Sequence, residues 1–111
     1  MADCVFCKIA SREIRAELLY EDADVVAFED GVPQAPFHAL VIPRLHVSSM
    51  SELMDERVGG RLLQVVRKVA SAAGHAGGYR VVINSGGAVG QSVRHLHLHV
   101  LAGRQFGWPP G

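Results

Sequence analysis

The chain has 111 residues, 49% of them hydrophobic and 20% charged, with 11 Lys and Arg against 11 Asp and Glu for a formal net charge of +0. That composition supports a buried core and excludes a disordered chain, and the even charge excludes a general nucleic-acid binder, which needs a basic surface. No apolar run approaches the ~18 residues of a membrane span, and Met1-Ala2-Asp3-Cys4 has no basic segment leading into an apolar stretch. The expectation is one domain over residues 1–111, cytoplasmic, with no membrane partner.

Residues 5–14 read as a short helix. Leu18–Tyr20 and Val25–Phe28 are β-prone runs around the acidic turn Glu21-Asp22-Ala23-Asp24, a hairpin pattern. His38–Ile42 is a third strand stopped by Pro43. From about Asp55 to Ala73 the apolar residues Val58, Leu62, Val65, Val66, Val69 and Ala73 recur at spacings of three and four, which predicts a long helix ending near Gly74. Residues 79–83 and 95–101 are the fourth and fifth strands. Hairpin-linked strands with helices between them point to an α+β fold: a five-stranded, mainly antiparallel sheet with one long and one short helix.

Six histidines are present, three of them in His95-Leu96-His97-Leu98-His99-Val100-Leu101. In a strand, alternation puts the three imidazoles on one face, ~6.6–7 Å apart, and Leu96, Leu98 and Val100 on the other. Imidazoles in register need partners for every ring nitrogen and repel if protonated together, an arrangement expected at a functional site. Upstream, Asn84-Ser85-Gly86-Gly87-Ala88-Val89-Gly90-Gln91-Ser92 combines glycines, which let backbone N–H groups converge on an anion, with neutral side-chain donors. A glycine-rich loop feeding an imidazole row reads as a phosphate cradle beside a nucleophile. His38 reads as a buried structural residue and His75 as a solvated residue after the helix stop. Cys4 and Cys7, the only cysteines, form a C-x-x-C pair open to three readings: unligated thiols, a redox pair or metal ligands.

The run from Asn84 through Gly90-Gln91-Ser92 to His95-x-His97-x-His99-Val100-Leu101 resembles the histidine triad signature. Phe6-x-Lys8-Ile9, Ala27-Phe28-x-Asp30, Pro33-Gln34-Ala35-Pro36, Leu40-Val41-Ile42-Pro43 with His46, and the ending Gly103-Arg104-Gln105-x-x-Trp108-Pro109-Pro110-Gly111 extend the resemblance over nearly the whole chain. The ending is similar to that of the histidine triad nucleotide-binding branch. The resemblance implies a homodimer with one continuous ten-stranded sheet, hydrolysing purine nucleoside 5′-phosphoramidates through a covalent nucleotidyl-histidine, with no cofactor required for chemistry. It implies His97 as nucleophile, supported by His95 and His46. Asp30 would hold the ribose, Phe6, Ile9 and Phe28 would flank the base, and Asn84, Gln91, Ser92 and His99 would contact the phosphate or leaving group. The amides of Gly90 to Ser92 would stabilise phosphate charge, Ser92 would help to protonate the amine, and Trp108 would reach the partner's site. It further implies a structural zinc held by Cys4, Cys7, His46 and His95.

Gly31 departs from the family's bulky aliphatic after the aspartate, which loosens the expected base site. On its residues alone Asp30 also fits a turn cap at Gly31, and Phe6, Ile9 and Phe28 fit a core. Three alternative functions carry distinct signatures. They are a metalloenzyme using the H-x-H spacing for catalytic zinc, a dinucleoside polyphosphate hydrolase, and a nucleotide-binding signalling module with little catalysis.

Overall fold

A computed structural model describes residues 3–111. Helix α1 (Val5–Ala10) precedes the hairpin β1 (Leu18–Glu21) and β2 (Val25–Glu29), then β3 (Phe37–Pro43), the long helix α2 (Glu56–Ala72), β4 (Arg80–Val82) and β5 (Leu98–Ala102). The sheet runs β1-β2-β3-β5-β4, with every neighbouring pair antiparallel. The predicted α+β, five-stranded architecture is the observed one.

Alternation along the central strands supplies two cores. Val25, Ala27, Ala39, Val41, Leu98 and Val100 face α2, where Val58, Leu62, Val65, Val66, Val69 and Ala70 form the apolar stripe read from the sequence. Val26, Phe28, Leu40 and Ile42 face the other way, against Phe6, Ile9 and Ala10 of α1. Asp55 caps α2, its carboxylate accepting the Arg57 and Val58 N–H groups. Gly74, at φ +84°, ends it: the Gly74 N–H reaches the Ser71 carbonyl at 3.0 Å and the His75 N–H the Ala70 carbonyl at 2.8 Å, a Schellman closure.

Three of the boundary differences have a visible local cause. Helix α1 stops at Ala10 rather than Ile14, because Arg12 takes a left-handed φ of +66° and the Ile14 N–H turns back to the Lys8 carbonyl. Strand β3 runs through Pro43, which pairs with Val25, instead of stopping before it. Strand β5 begins at Leu98 rather than His95, since the Leu96 N–H is drawn out of the ladder to the Val47 carbonyl at 2.6 Å. His75 is half-buried, not solvated, with its ring 5.4 Å from that of Phe37.

Candidate active site

The sheet face that carries α1 also carries the triad. A cavity of about 730 Å³ opens there, lined by Phe6, Ile9, Phe28, Asp30, Ser92, His97 and His99 among others, a size that suits a nucleotide-scale ligand. Phe6 stands edge-on to both Phe28 and His97, at centroid distances of 5.5 and 5.2 Å. The His97 and His99 rings lie 5.0 Å apart, closer than strand spacing, with planes at 67°. Asp30 performs the turn role as well as lining the cavity: its Oδ1 accepts the Val32 N–H at 2.8 Å. A Cβ at Gly31, also on the wall, would meet nothing within 4 Å, so this side of the cavity is open.

Hydrogen-bond partners fix the tautomer of each imidazole. A carbonyl only accepts, so the His95 carbonyl, 2.8 Å from His97 Nδ1, holds a proton there and leaves a lone pair on His97 Nε2. His99 is set the opposite way through a residue that the sequence reading made merely structural. The Gln34 N–H donates to His38 Nδ1 at 2.9 Å, so neutral His38 carries its proton on Nε2. That nitrogen is 2.9 Å from His99 Nδ1 and 3.4 Å from Asp30 Oδ2. His99 Nδ1 therefore accepts, and His99 Nε2 bears the hydrogen. The cavity thus holds one nucleophilic nitrogen and one donor on adjacent rings. Burial pushes the pKa of His38 down against the opposing pull of Asp30. Burial, reinforced by His97 and His38, takes His99 down to about 4.

The glycine loop is less open than its composition implies. Its residues Gly87–Val89 form a 3₁₀ turn, and the Gly90 and Gln91 N–H groups bond to the Gly87 and Gly86 carbonyls, both at 3.2 Å. The Gln91 side chain is also committed, donating to the Ser48 and Val93 carbonyls and accepting the Gly86 N–H. Asn84, Gly90 and Gln91 are absent from the cavity wall, and Asn84 lies beside Gly90, whose φ is +104°. Of the expected cradle residues Ser92 lines the cavity, while the loop's own carbonyls take the Gly90 and Gln91 N–H groups. Trp108 is 83% exposed and likewise off this wall.

Cys4, Cys7, His46 and His95 converge behind the triad, with one donor atom of each within 4.8 Å of all the others. His95 Nε2 lies 2.8 Å from the Pro43 carbonyl, so its proton sits there and Nδ1 turns a lone pair to the thiols, 3.2 Å from Cys4 Sγ and 3.5 Å from Cys7 Sγ. His46 Nδ1 is 3.4 Å from Cys7 Sγ. Two sulfurs and two imidazole nitrogens form a Cys₂His₂ donor set of the kind that closed tetrahedral zinc sites use, and the backbone bond orienting His95 is the usual outer support. The residues present fit such an ion.

An α+β sheet bearing an alternating histidine row against a short N-terminal helix defines the class of fold, and sequence comparison gives its family. The chain belongs to the HIT domain family, whose model matches residues 11–106. It is 48% identical to an uncharacterized HIT-like protein of Synechococcus elongatus, over 98% of this chain and 97% of that one. Its structure is similar to that of a HIT family hydrolase from Legionella pneumophila (TM-score 0.94, 44% identity, 98% of this chain and 100% of the other). It is also similar to a histidine triad nucleotide-binding protein from Candida albicans (TM-score 0.85, 30% identity, 98% and 85% covered). No described helix is long and apolar enough to cross a membrane.

The lowered histidine pKa values make stability depend on pH. Above about 6.5, the ordinary value, His99 is neutral folded or unfolded and its contribution is complete. As pH falls from 6.5 through about 4 the unfolded chain takes up the proton first, so stability is lost over that window. Denaturant titrations at pH 7 and pH 5 are expected to differ by roughly 1–2 kcal/mol from this group, and His99→Gln is expected to reduce the difference, with His38 and His95 supplying what remains.

Proposed function

We propose that this chain is a nucleotide hydrolase of the histidine triad nucleotide-binding branch, cleaving the P–N bond of purine nucleoside 5′-phosphoramidates. The observation that carries the reading is the opposed pair of tautomers, a bare Nε2 on His97 beside an Nε2–H on His99, in a nucleotide-sized cavity with Asp30. The names of similar proteins, a HIT family hydrolase and a histidine triad nucleotide-binding protein, support it. The base would lie against Phe6, Ile9 and Phe28, and the ribose hydroxyls would donate to Asp30.

His97 Nε2 attacks phosphorus, the P–N bond breaks, and the amine leaves with a proton that Ser92 helps to deliver. Water then displaces the histidine, giving the nucleoside monophosphate. His99 Nε2–H donates to a phosphate oxygen as charge builds. Throughout, the His95 carbonyl steadies the imidazolium character that develops on His97. Histidine rather than glutamine at position 99 favours hydrolysis over nucleotidyl transfer. The same reading assigns a structural zinc to Cys4, Cys7, His46 and His95. Bound there, zinc would tie α1 to the sheet and hold His95 in place. It also assigns a homodimer. The three-residue edge strand β4 exposes Val81 and Tyr79 flanks it exposed, while α2 presents Leu63 at 56% exposure, a surface suited to pairing two sheets into one.

His97→Ala is expected to abolish turnover of an adenosine 5′-phosphoramidate while nucleotide binding persists; near-normal kcat would remove His97 as nucleophile. Wild-type kcat/KM is expected to be far lower for diadenosine polyphosphates, and equal values would count against the branch assignment. Metal analysis of tag-free protein is expected to find about one zinc per chain, lost together with thermal stability in the Cys4→Ser/Cys7→Ser variant. Sedimentation at micromolar concentration is expected to give a dimer mass; a monomer would refute the paired sheet.

A further inference from the structure

The nucleoside wall has a polar end that the reaction at His97 leaves unused. Arg12 is left-handed and the Ile14 N–H returns to the Lys8 carbonyl, so the chain after α1 doubles back on itself. It then meets the end of β2, where the Glu17 carbonyl accepts the Glu29 N–H at 3.4 Å. This path lays Arg15, Ala16 and Glu17 along the wall of the 730 Å³ cavity. Ala16 packs on the core that holds Phe6 and Phe28, while Arg15 is exposed. A smaller cavity of about 260 Å³ adjoins the first and shares Ile9, Arg15 and Ala16 with it. Neither His97, His99 nor Ser92 lines the smaller cavity, so the shared wall lies away from the reacting centre.

Resting on the proposed nucleotide chemistry, that placement bears on the base. With phosphorus at His97 and the ribose at Asp30, the base extends toward the Arg15 end. Phe6, Ile9 and Phe28 offer apolar surface to its faces, but every base has such faces, so they discriminate little. Its edge carries the information. Among the described residues no carboxylate lies within ion-pair distance of Arg15, whereas Arg12, Arg44, Arg57 and Arg61 are each paired. On the same wall a Cβ at Gly31 would meet nothing within 4 Å, which leaves room for a base edge to approach. A guanidinium presents a planar fork of donors, and a 6-oxopurine answers it with two adjacent acceptors, N7 and O6. Adenine sets its N6 amino donor against one arm of the fork. We infer that Arg15 is the specificity-determining residue of the nucleoside site and selects the 6-oxopurines, guanine and hypoxanthine, over adenine.

Guanosine, inosine and adenosine 5′-phosphoramidates test this, together with calorimetric binding of the three 5′-monophosphates. Wild-type kcat/KM is expected to favour the guanosine and inosine compounds alike over the adenosine compound by roughly five- to twentyfold, the lower part of the range for a bidentate guanidinium contact to a base edge. The monophosphates are expected to bind in the same order. Arg15→Ala is expected to bring both ratios near one with kcat/KM for the adenosine compound unchanged. Arg15→Gln, whose amide matches adenine N6 and N7, is expected to favour the adenosine compound. A wild-type ratio near one, or a ratio that survives Arg15→Ala, overturns the assignment. So does an inosine compound that behaves like the adenosine one while guanosine is favoured, since the N2 amino group is then what is read. No hydrolysis of any compound with the binding order intact overturns the phosphoramidase reading and leaves Arg15 assigned; with that order absent, both fall.

Discussion

The carbonyl of His95 and the ring of His97 stand two positions apart in the chain, and the 2.8 Å hydrogen bond between them sets the geometry of the whole site. Its strength as a constraint comes from how firmly that stretch of backbone is held. The His95 ring is fully buried and bonded to the Pro43 carbonyl at the end of β3. The Leu96 N–H is bonded to Val47, and the Leu96 side chain is sunk in the α2 core. The chain must leave the β-ladder before Leu98 to make these contacts. The acceptor that aims the imidazole is main chain, which no rotamer change of a neighbouring side chain can move. The same ring of His95 turns its other nitrogen to Cys4 and Cys7, so α1 and the catalytic segment share an anchor.

Charge control follows from that packing. His38, His99 and His97 form a chain of neighbouring rings, with His38 and His99 5.1 Å apart and His97 and His99 5.0 Å apart, and the charge of His97 also acts on His95. One protonated member would raise the cost of protonating the next, and burial lowers His38, His95 and His99 together. Asp30 is the single carboxylate that opposes this, acting on both His38 and His99. The outcome near neutral pH is uncharged His38, His95 and His99 rings, with the His99 N–H free to donate beside His97.

Features carried by period were legible in the sequence. The stripe of α2 and the leucines between the triad histidines declare which side they bury, because 3.6 and 2.0 are properties of the local chain. Features carried by long-range pairing were hidden. The tautomer of His99 depends on His38, 61 positions away, and His38 depends in turn on a backbone N–H of Gln34. Gly90 and Gln91 looked like free donors because composition reports how many N–H groups a loop has, not where its own carbonyls fall. The early end of α1 turns on Arg12 adopting a left-handed conformation, which a non-glycine residue does not advertise. The four ligand-type residues at positions 4, 7, 46 and 95 came from family resemblance, and only folding brings their donor atoms within 4.8 Å.

Helix α1 shows how far the nucleoside wall depends on contacts outside itself. Six residues are too few to hold a helix in water, since nucleation outweighs so short a run of hydrogen bonds. At its start, Cys4 accepts the Cys7 N–H and both thiols face His95. At its end, Arg44 donates to the Ala10 carbonyl at 2.7 Å, while the same guanidinium holds the Asp22 carbonyl and the Glu21 carboxylate of the β1–β2 turn. Asp22 is itself held ionised: burial raises its pKa, but the Asp24 N–H, Arg61, Tyr20 and the Val25 N–H outweigh that and hold it well below the usual carboxylate range. Arg61 lies on α2, across the sheet. Phe6 and Ile9 therefore keep their places on the cavity wall through a cysteine–histidine cluster at one end and an arginine at the other. That arginine's partners reach, through the β1–β2 turn, the helix on the opposite face.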